Sequence, residues 1–293
     1  IVKNDSGTVL SQSDLISSMQ YEDDPTGACE VGAPVCKMMS FSAAHFTQFD
    51  IDSNVYVDAS NSTGTEDGTQ AHPYNTITEG IGAAMASGTI HVAAGTYTED
   101  LTIPVGKTNL DISGAGLAST TIKGVKNVLI DPLVPAPPFA DPNINILISG
   151  TKLHGFTIEG PNYVSGKYSS GIVIGAPNVE IYNNAFKVTP GANADEMSQA
   201  IQTWRFSEPG TQDLSSLNIH NNSFTNLSAG VAGYEGIYIN LDEGSGIATI
   251  QNNNFSGNVA RAITTERSST TISGNTISTD LAPGSFGSGG WQG

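Results

Sequence analysis

The sequence predicts an all-β protein built as a parallel β-helix, from a repeated turn pattern, a repeated strand pattern and the irregular spacing between repeats. The turn pattern occurs at residues 181–186, 219–224, 250–255 and 272–277, with a looser copy at 153–158. A solenoid gives this spacing, because each coil has strands and turns of nearly fixed length and lengthens only through loops that bulge outwards.

Each copy of the turn pattern begins with an apolar residue and ends with Phe or Ile, with a pair of Asn or Gly residues such as Asn183 and Asn184 between them. The first and last residues are predicted to point into the coil. The pair turns the chain, since Asn and Gly accept left-handed backbone angles at little cost. In stacked coils the Asn side chains would form a hydrogen-bonded ladder. The alternative is Asn-rich turns in a β-sandwich, which does not usually repeat one turn signature at each return of the chain.

The strand pattern indicates the same stacking. Four segments begin with a small residue at 171, 200, 236 and 262 and then alternate inward and outward positions. The predicted inward positions are Ile172, Ile174, Ile201, Thr203, Ile237, Ile239, Ile263 and Thr265.

The composition is typical of a secreted β-rich protein, because 33 of the 293 residues are Gly and only 13% are charged. The formal net charge of −17 disfavours binding to nucleic acid or to anionic membranes. No apolar run is long enough to span a bilayer. The chain begins at Ile1 rather than Met, which favours a processed N-terminus and an extracellular or cell-surface location.

Residues 1–53 do not fit the coil pattern and are predicted to form an N-terminal extension, followed by a β-helix domain over 54–293. A short helix is expected over 13–19. Cys29 and Cys36 are close in sequence and favour a local disulfide in an oxidising compartment. Two free thiols are the alternative, and a metal site is disfavoured because no third Cys or His is nearby.

Acidic residues cluster around the start of the β-helix domain. No cofactor is expected to be required, but closely spaced carboxylates on Gly-bearing loops suit calcium. The spacing is not that of an EF-hand, so the alternative is an acidic loop without a metal ion. The candidate ligands are Asp50, Asp52, Asp58, Glu66 and Asp67.

A short amphipathic helix is predicted near the start of the domain. Thr76 and Glu79 have the spacing of a capping box, and Gly88 is expected to end the helix. The segment Gly-Thr-Tyr-Thr-Glu follows at residues 95–99.

This stretch resembles the first coil of pectin-lyase-like right-handed parallel β-helix proteins, in which a strand, a loop and a short helix cap the solenoid. The segment at 95–99 is similar to one in pectin methylesterases and in many surface proteins. The resemblance covers about residues 54–280 and implies a right-handed parallel β-helix with a short N-terminal capping helix. It implies no particular activity, because enzymes and non-enzymes share the fold.

The catalytic motifs of polygalacturonase-like hydrolases are absent, and the further motifs of pectin methylesterases find no match. One set of outward residues on the strand pattern is predicted to form a sugar-binding surface, since aromatic rings, amides and charges meet there on coils about 4.8 Å apart. The predicted carbohydrate-binding residues are Gln202, Trp204, Tyr238 and Asn240, and Thr264 lies on the same face. The candidate catalytic residues are Asp242, Glu266, Arg205 and Arg267. The alternative is a solvated face with surface ion pairs.

Two functions from different classes follow. The favoured one is a secreted or cell-surface structural protein, not an enzyme, that assembles with copies of itself into a filament or surface layer. Assembly is expected through the open C-terminal coil and the apolar residues Ile1, Val2, Val9 and Leu10 of the extension. The alternative is a polysaccharide lyase, a glycoside hydrolase or a carbohydrate-binding module that uses the surface around Trp204 and Tyr238.

Overall fold

The chain divides into two compact units, Ile1–Ser53 and Asn54–Gly293. The structure, a computed structural model, describes residues 19–22, 38–41, 53–125, 140–159, 168–187, 199–203, 215–225, 235–240, 247–257, 261–266 and 269–279.

The first unit contains an antiparallel strand pair, β1 (Met19–Glu22) and β2 (Met38–Phe41), in which Met19 lies opposite Phe41. The helix predicted over 13–19 is therefore wrong at its last residue, because Met19 begins a strand. Residues 13–18 lie outside the described part of the chain, as do Cys29 and Cys36, so the disulfide stays a prediction.

The second unit consists of short strands and one described helix, α1 (Ile77–Ala83). Its strands are β3 (Asn54–Val57), β4 (Thr89–Val92), β5 (Gly95–Thr98), β6 (Leu101–Ile103), β7 (Asp111–Gly114), β8 (Thr120–Lys123), β9 (Ala140–Ile146), β10 (Lys152–His154), β11 (Thr157–Glu159), β12 (Tyr168–Ile174), β13 (Glu180–Tyr182), β14 (Ala185–Lys187), β15 (Gln199–Thr203), β16 (Asn218–His220), β17 (Ser223–Thr225), β18 (Glu235–Asn240), β19 (Ile247–Gln251), β20 (Asn254–Gly257), β21 (Arg261–Glu266), β22 (Ser269–Ser273) and β23 (Thr276–Thr279).

These strands form three parallel sheets, and the chain visits them in rotation. Sheet A has the order β3-β4-β7-β10-β13-β16-β19-β22. Sheet B has the order β5-β8-β11-β14-β17-β20-β23, and sheet C has the order β6-β9-β12-β15-β18-β21. Among the described strands, β4 to β21 form six complete coils with one strand in each sheet, preceded by β3 in sheet A and followed by β22 and β23 in sheets A and B. This arrangement confirms the predicted right-handed parallel β-helix.

The core consists of stacked apolar side chains on neighbouring coils. Ile181, Ile219 and Ile250 are successive partners in sheet A, and all three are fully buried. In sheet B the rings of Phe186, Phe224 and Phe255 stack, with centroid distances of 4.8 and 4.6 Å. In sheet C, Ile172, Ile201, Ile237 and Ile263 are aligned in the same way. The predicted inward positions are thus confirmed on the central coils, whereas Thr265, Ile272 and Ile277 at the C-terminal end are aligned but exposed, and the side chain of Ile239 is not described.

The turns between sheets A and B carry the predicted Asn ladder. Asn183, Asn221 and Asn252 have φ values of 51°, 55° and 54°, which is the left-handed region that these turns require. The next residue in each turn is buried, and each amide donates to the oxygen of the amide on the following coil. The ladder consists of Asn184, Asn222, Asn253 and Asn275, with successive Nδ2 to Oδ1 distances of 3.3, 3.1 and 2.9 Å.

Helix α1 packs on β3 and β4 at the N-terminal end of the solenoid, and buries Ile77 and Ile81. The capping box of Thr76 and Glu79 is confirmed. The helix ends at Ala83, earlier than the predicted end at Gly88. Ala84 is already extended, with ψ of 142°, and the Lys107 ammonium donates to the carbonyl oxygens of Gly82 and Ala84.

The C-terminal end of the solenoid is different. Within the described residues, β21, β22 and β23 each have a strand neighbour on one side only. Ile272 and Ile277 continue the ladders of Ile250 and Phe255, but their exposed fractions are 50% and 54%. The last described coil therefore leaves its core positions half open.

Candidate functional site

The predicted sugar-binding row lies on sheet C. The register places Gln202 beside Tyr238, Tyr238 beside Thr264, and Asn240 beside Glu266, so these residues share neighbouring strands as expected. Gln202 itself is buried, with only 5% of its surface exposed, and its Nε2 donates to the Ser170 hydroxyl at 2.6 Å. Its amide is therefore not on an open surface.

The other members of that surface are not placed. Trp204, Arg205, Asp242 and Arg267 lie outside the described residues, and for Tyr238, Asn240 and Glu266 only the backbone is described. Their carbohydrate-binding and catalytic roles stay predictions. The same holds for the assembly residues Ile1, Val2, Val9 and Leu10.

The outward row of sheet C nevertheless has a distinct property. Asn145, Val173 and Gln202 are aligned on successive strands, and each is at most 5% exposed. The Oδ1 atom of Asn145 is buried and has no hydrogen-bond partner among the described residues. This part of the outward row is therefore covered rather than open to solvent.

The three described residues of the predicted cation site are used locally. Asp58 accepts from the backbone and hydroxyl of Ser60, and Asp67 accepts from the backbone of Thr69. Glu66 accepts from the amide of Asn75. Among the described residues no group of three His, Cys, Asp or Glu is arranged to hold a metal ion. Asp50 and Asp52 lie outside that part of the chain, so the calcium site stays a prediction.

The segment at 95–99 holds the first coil together. The Tyr97 hydroxyl accepts from the Ala59 N–H and donates to the Ala93 carbonyl oxygen. Burial raises the pKa of Tyr97 above its ordinary value, with a contribution from nearby Asp58. The Glu99 carboxylate accepts from the N–H groups of Ile77 and Thr78, at 2.8 and 3.0 Å, at the start of α1. In this chain the segment therefore fastens the capping helix to the solenoid.

Sequence reasoning missed a row of rings on the outer face of sheet A. We call it the ring row; its successive members are Tyr56, His91, Ser113, His154, Tyr182 and His220. The rings of His154, Tyr182 and His220 are stacked, with centroid distances of 4.5 and 5.1 Å, and those of Tyr56 and His91 stack at 5.0 Å.

Each imidazole in the ring row is oriented by an oxygen on the preceding strand. The Nε2 atom of His154 lies 2.9 Å from Asp111 Oδ1, and that of His220 lies 3.0 Å from Glu180 Oε1. Lys152 is 3.7 Å from the other oxygen of Glu180. Burial, followed by the charges of Asp111 and Glu180, raises the pKa of Tyr182. Tyr182 is therefore a neutral hydroxyl between two imidazole–carboxylate pairs.

The signal for this row was present in the turn pattern. In three copies the residue after the first apolar position is a ring, namely His154, Tyr182 and His220. Outward positions at equal places in a repeat must stack, since strand neighbours are only about 4.8 Å apart. Reading that column would have predicted the ring row from the sequence.

The three parallel sheets and the stacked turns define this chain as a right-handed parallel β-helix protein. Residues 60–290 match the family described as "Protein of unknown function (DUF1565)". Because the match covers more than half of the chain, the protein belongs to that family. No curated protein matches the chain significantly. The described residues include no helix that is both long and apolar enough to cross a membrane.

Several solved structures are similar to this chain. A pectin methylesterase from carrot has a TM-score of 0.48 and 15% identity, and the match covers 77% of this chain and 63% of that one. The rice weevil pectin methyl esterase has a TM-score of 0.45 and 17% identity, and the match covers 75% of this chain and 67% of that one. Escherichia coli ybhc has a TM-score of 0.41 and 14% identity, and the match covers 96% of this chain and 80% of that one. The chain thus spans less than two thirds of the carrot protein.

Proposed function

We propose that this protein is an extracellular or cell-surface structural protein that associates with copies of itself through the C-terminal coil of its β-helix. The observation that carries the proposal is the exposure of Ile272 and Ile277, 50% and 54%, at positions where Ile250 and Phe255 of the preceding coil are fully buried. Apolar area of this kind gains about 25 cal/mol per Å² when a partner removes it from water.

The edge strands of this coil support the proposal. β22 and β23 consist of Ser, Thr and Ile alone, with no charged residue or Pro. Proteins usually protect an exposed strand edge with charges, Pro or bulges, because unpaired backbone groups recruit other chains. Neither edge carries such a charge, so both are suited to pairing with a second copy.

The Asn ladder adds a second argument. The backbone N–H of Asn222 donates to Asn253 Oδ1, and that of Asn253 donates to Asn275 Oδ1. Asn275 is the last described member of the ladder, so no later described amide accepts from it. A strand with its turn from a second copy would supply an acceptor. A head-to-tail contact with the N-terminal extension, including Ile1, Val2, Val9 and Leu10, would not close and would build a filament.

Sedimentation across a concentration series tests the proposal. The wild-type chain is expected to associate, and the double variant Ile272→Lys/Ile277→Lys to stay monomeric, since both positions are half exposed and tolerate a charge in the folded coil. Val105→Lys, at a 77% exposed apolar residue elsewhere, is the matched control and should associate like the wild type. A monomeric wild type, or a double variant that associates unchanged, contradicts the proposal. Deleting residues 1–10 tests the extension separately and should also abolish assembly.

Carbohydrate binding on the outer face of sheet C is the second candidate function. It is favoured by the register of sheet C, which places Gln202 beside Tyr238 and Tyr238 beside Thr264 on neighbouring strands. If a glycan binds there, Trp204→Ala should cost about 1–2 kcal/mol of binding free energy. Calorimetry with hexagalacturonate and neutral hexasaccharides measures this, and reducing-sugar and unsaturated-product assays test for catalysis. Unchanged binding in the variant removes Trp204 from the site.

A further inference from the structure

The ring row on sheet A is interrupted at one position. Ser113 pairs with His91 on one side and with His154 on the other, so it occupies the place of a ring without providing one. His91 stacks on Tyr56 through one face, and His154 stacks on Tyr182 through one face. The remaining faces of the two imidazoles look towards each other across Ser113.

The width of this gap is set by the strand spacing. His91 and His154 are two strands apart, which corresponds to about 9.6 Å at about 4.8 Å per strand. Rings elsewhere in the row lie 4.5–5.1 Å apart. The gap therefore has room for one ring at the same spacing on both sides.

We propose that the gap over Ser113 is a binding slot for one neutral sugar ring, held between the imidazoles of His91 and His154. A pyranose ring presents apolar C–H faces that pack on flat rings, while hydroxyls project from its edge. The slot matches both properties, since its walls are imidazole faces and its lining is polar.

The polar lining comes from two residues of β7. The Ser113 hydroxyl forms the floor and is able both to donate and to accept. The Asp111 carboxylate, whose side chain is 36% exposed, gives one oxygen to His154 and keeps the other for a ligand hydroxyl. An aromatic ring without hydroxyls would leave these groups unpaired, whereas a sugar ring would satisfy them.

The charge around the slot selects against acidic sugars. Asp111 lies at the slot itself. Lys152, its partner on the next strand, lies 3.7 Å from Glu180 one strand further along, so these two charges offset each other and Asp111 is the charge that a ligand in the slot meets, in a chain with a net charge of −17. A uronate or phosphate group would meet like charge there. The His imidazoles are already oriented by Asp111 and by the Asn54 amide oxygen, which fixes the slot walls before a ligand arrives.

Filling the slot with a side chain tests the inference. In the Ser113→Tyr variant the new ring continues the row, so the variant should remain folded while losing binding at least tenfold. Gln251→Tyr is the matched control, because Gln251 follows His220 in the same row beyond its last ring. Calorimetry with cellohexaose, xylohexaose and laminarihexaose should show binding of at least one to the wild type and to Gln251→Tyr. Circular dichroism and urea unfolding verify the fold of each variant.

Four results would overturn the inference: no binding of the three neutral probes at millimolar concentration, equal binding by Ser113→Tyr, loss of binding in Gln251→Tyr, or tighter binding of hexagalacturonate than of any neutral probe. Binding that is lost in Trp204→Ala but kept in Ser113→Tyr would place the glycan on sheet C instead. None of these measurements depends on self-association, which the sedimentation experiment tests separately.

Discussion

Asn222 shows how much one side chain contributes to this solenoid. Its Oδ1 accepts from the backbone N–H of Asn184, and its Nδ2 donates to the Ile181 carbonyl oxygen and to Asn253. Replacing it with Ala would leave the Asn184 N–H and the Ile181 carbonyl buried without these partners. Since each orphaned group costs about 1–3 kcal/mol, Asn222→Ala should lower the free energy of unfolding by about 2–4 kcal/mol, measured by urea denaturation.

The neighbouring residue provides the control for that prediction. Asn221 is exposed and has a φ of 55°, so it forms the turn without joining the buried ladder. Asn221→Gly keeps the left-handed conformation accessible and should change stability by less than about 1 kcal/mol. Equal losses in the two variants would mean that the ladder hydrogen bonds add no stability beyond the turn itself.

The raised pKa of Tyr97 predicts how the free energy of unfolding changes at alkaline pH. Burial raises the pKa of its hydroxyl in the folded chain above the ordinary value of 10.0. As the pH rises, the Tyr97 hydroxyl therefore loses its proton in the unfolded chain before it does so in the folded chain. The contribution of the protonated Tyr97 to the free energy of unfolding is fully present below about pH 10 and is lost as the pH rises through the pKa of the folded chain. Urea unfolding above pH 10 should show a steeper loss of stability in the wild type than in Tyr97→Phe. Parallel pH profiles would contradict the raised pKa.

At this scale the sequence predicted what a local pattern determines. The roles of Asn183 and Asn184 were predictable because turn geometry and ladder formation act on adjacent residues of one motif. The burial of Gln202 was not, since exposure of an outward position depends on segments distant in sequence. The ring row was missed because its members are separated by whole coils, and only a column-by-column comparison of the repeats brings them together.

At the scale of elements, Glu99 connects a strand end to α1. Its carboxylate accepts from two N–H groups of the first helical turn. The N–H of Glu79 in the same turn donates to the side chain of Thr76 in the capping box. Glu99→Ala removes these charge-assisted bonds and should cost about 1–2 kcal/mol of unfolding free energy. Glu99→Gln, which keeps an acceptor oxygen, should lose less, and Thr98→Ala, at an exposed neighbour, should have little effect. A loss as large in Thr98→Ala would show that the helix contact is not the cause.

Strand positions were more predictable than element ends. The ladders of Ile181 and Ile172 follow from side-chain alternation, which a buried core enforces at every coil. The end of α1 was wrong because Lys107, far along the chain, donates to its last carbonyl oxygens in place of a Gly cap. The helix predicted at Met19 was wrong because helical periodicity compares only residues a few positions apart, whereas the strand partner of Met19 is Phe41.

At the scale of the whole molecule, a solenoid is stabilised by contacts between neighbouring coils, so its ends are its weakest parts. The N-terminal end is covered by α1, whereas Ile272 and Ile277 of the last described coil are half exposed. Central coils are stabilised by neighbours on both sides, whereas the terminal strands β21, β22 and β23 have a strand neighbour on one side only within the described residues. Opening should therefore begin at the C-terminal coil.

Native-state amide hydrogen exchange measures this gradient. In dilute solution the amides of β22 and β23 should exchange at least tenfold faster than those of β13 and β16, because local opening there breaks contacts with one neighbour only. Raising the protein concentration should slow exchange selectively in β22 and β23 if a second copy covers their edges. In Ile272→Lys/Ile277→Lys the exchange of these strands should not depend on concentration. Equal protection along the whole solenoid in dilute solution would mean that the open coil is as stable as the centre, and the exposed isoleucines would then not mark a surface that requires a partner.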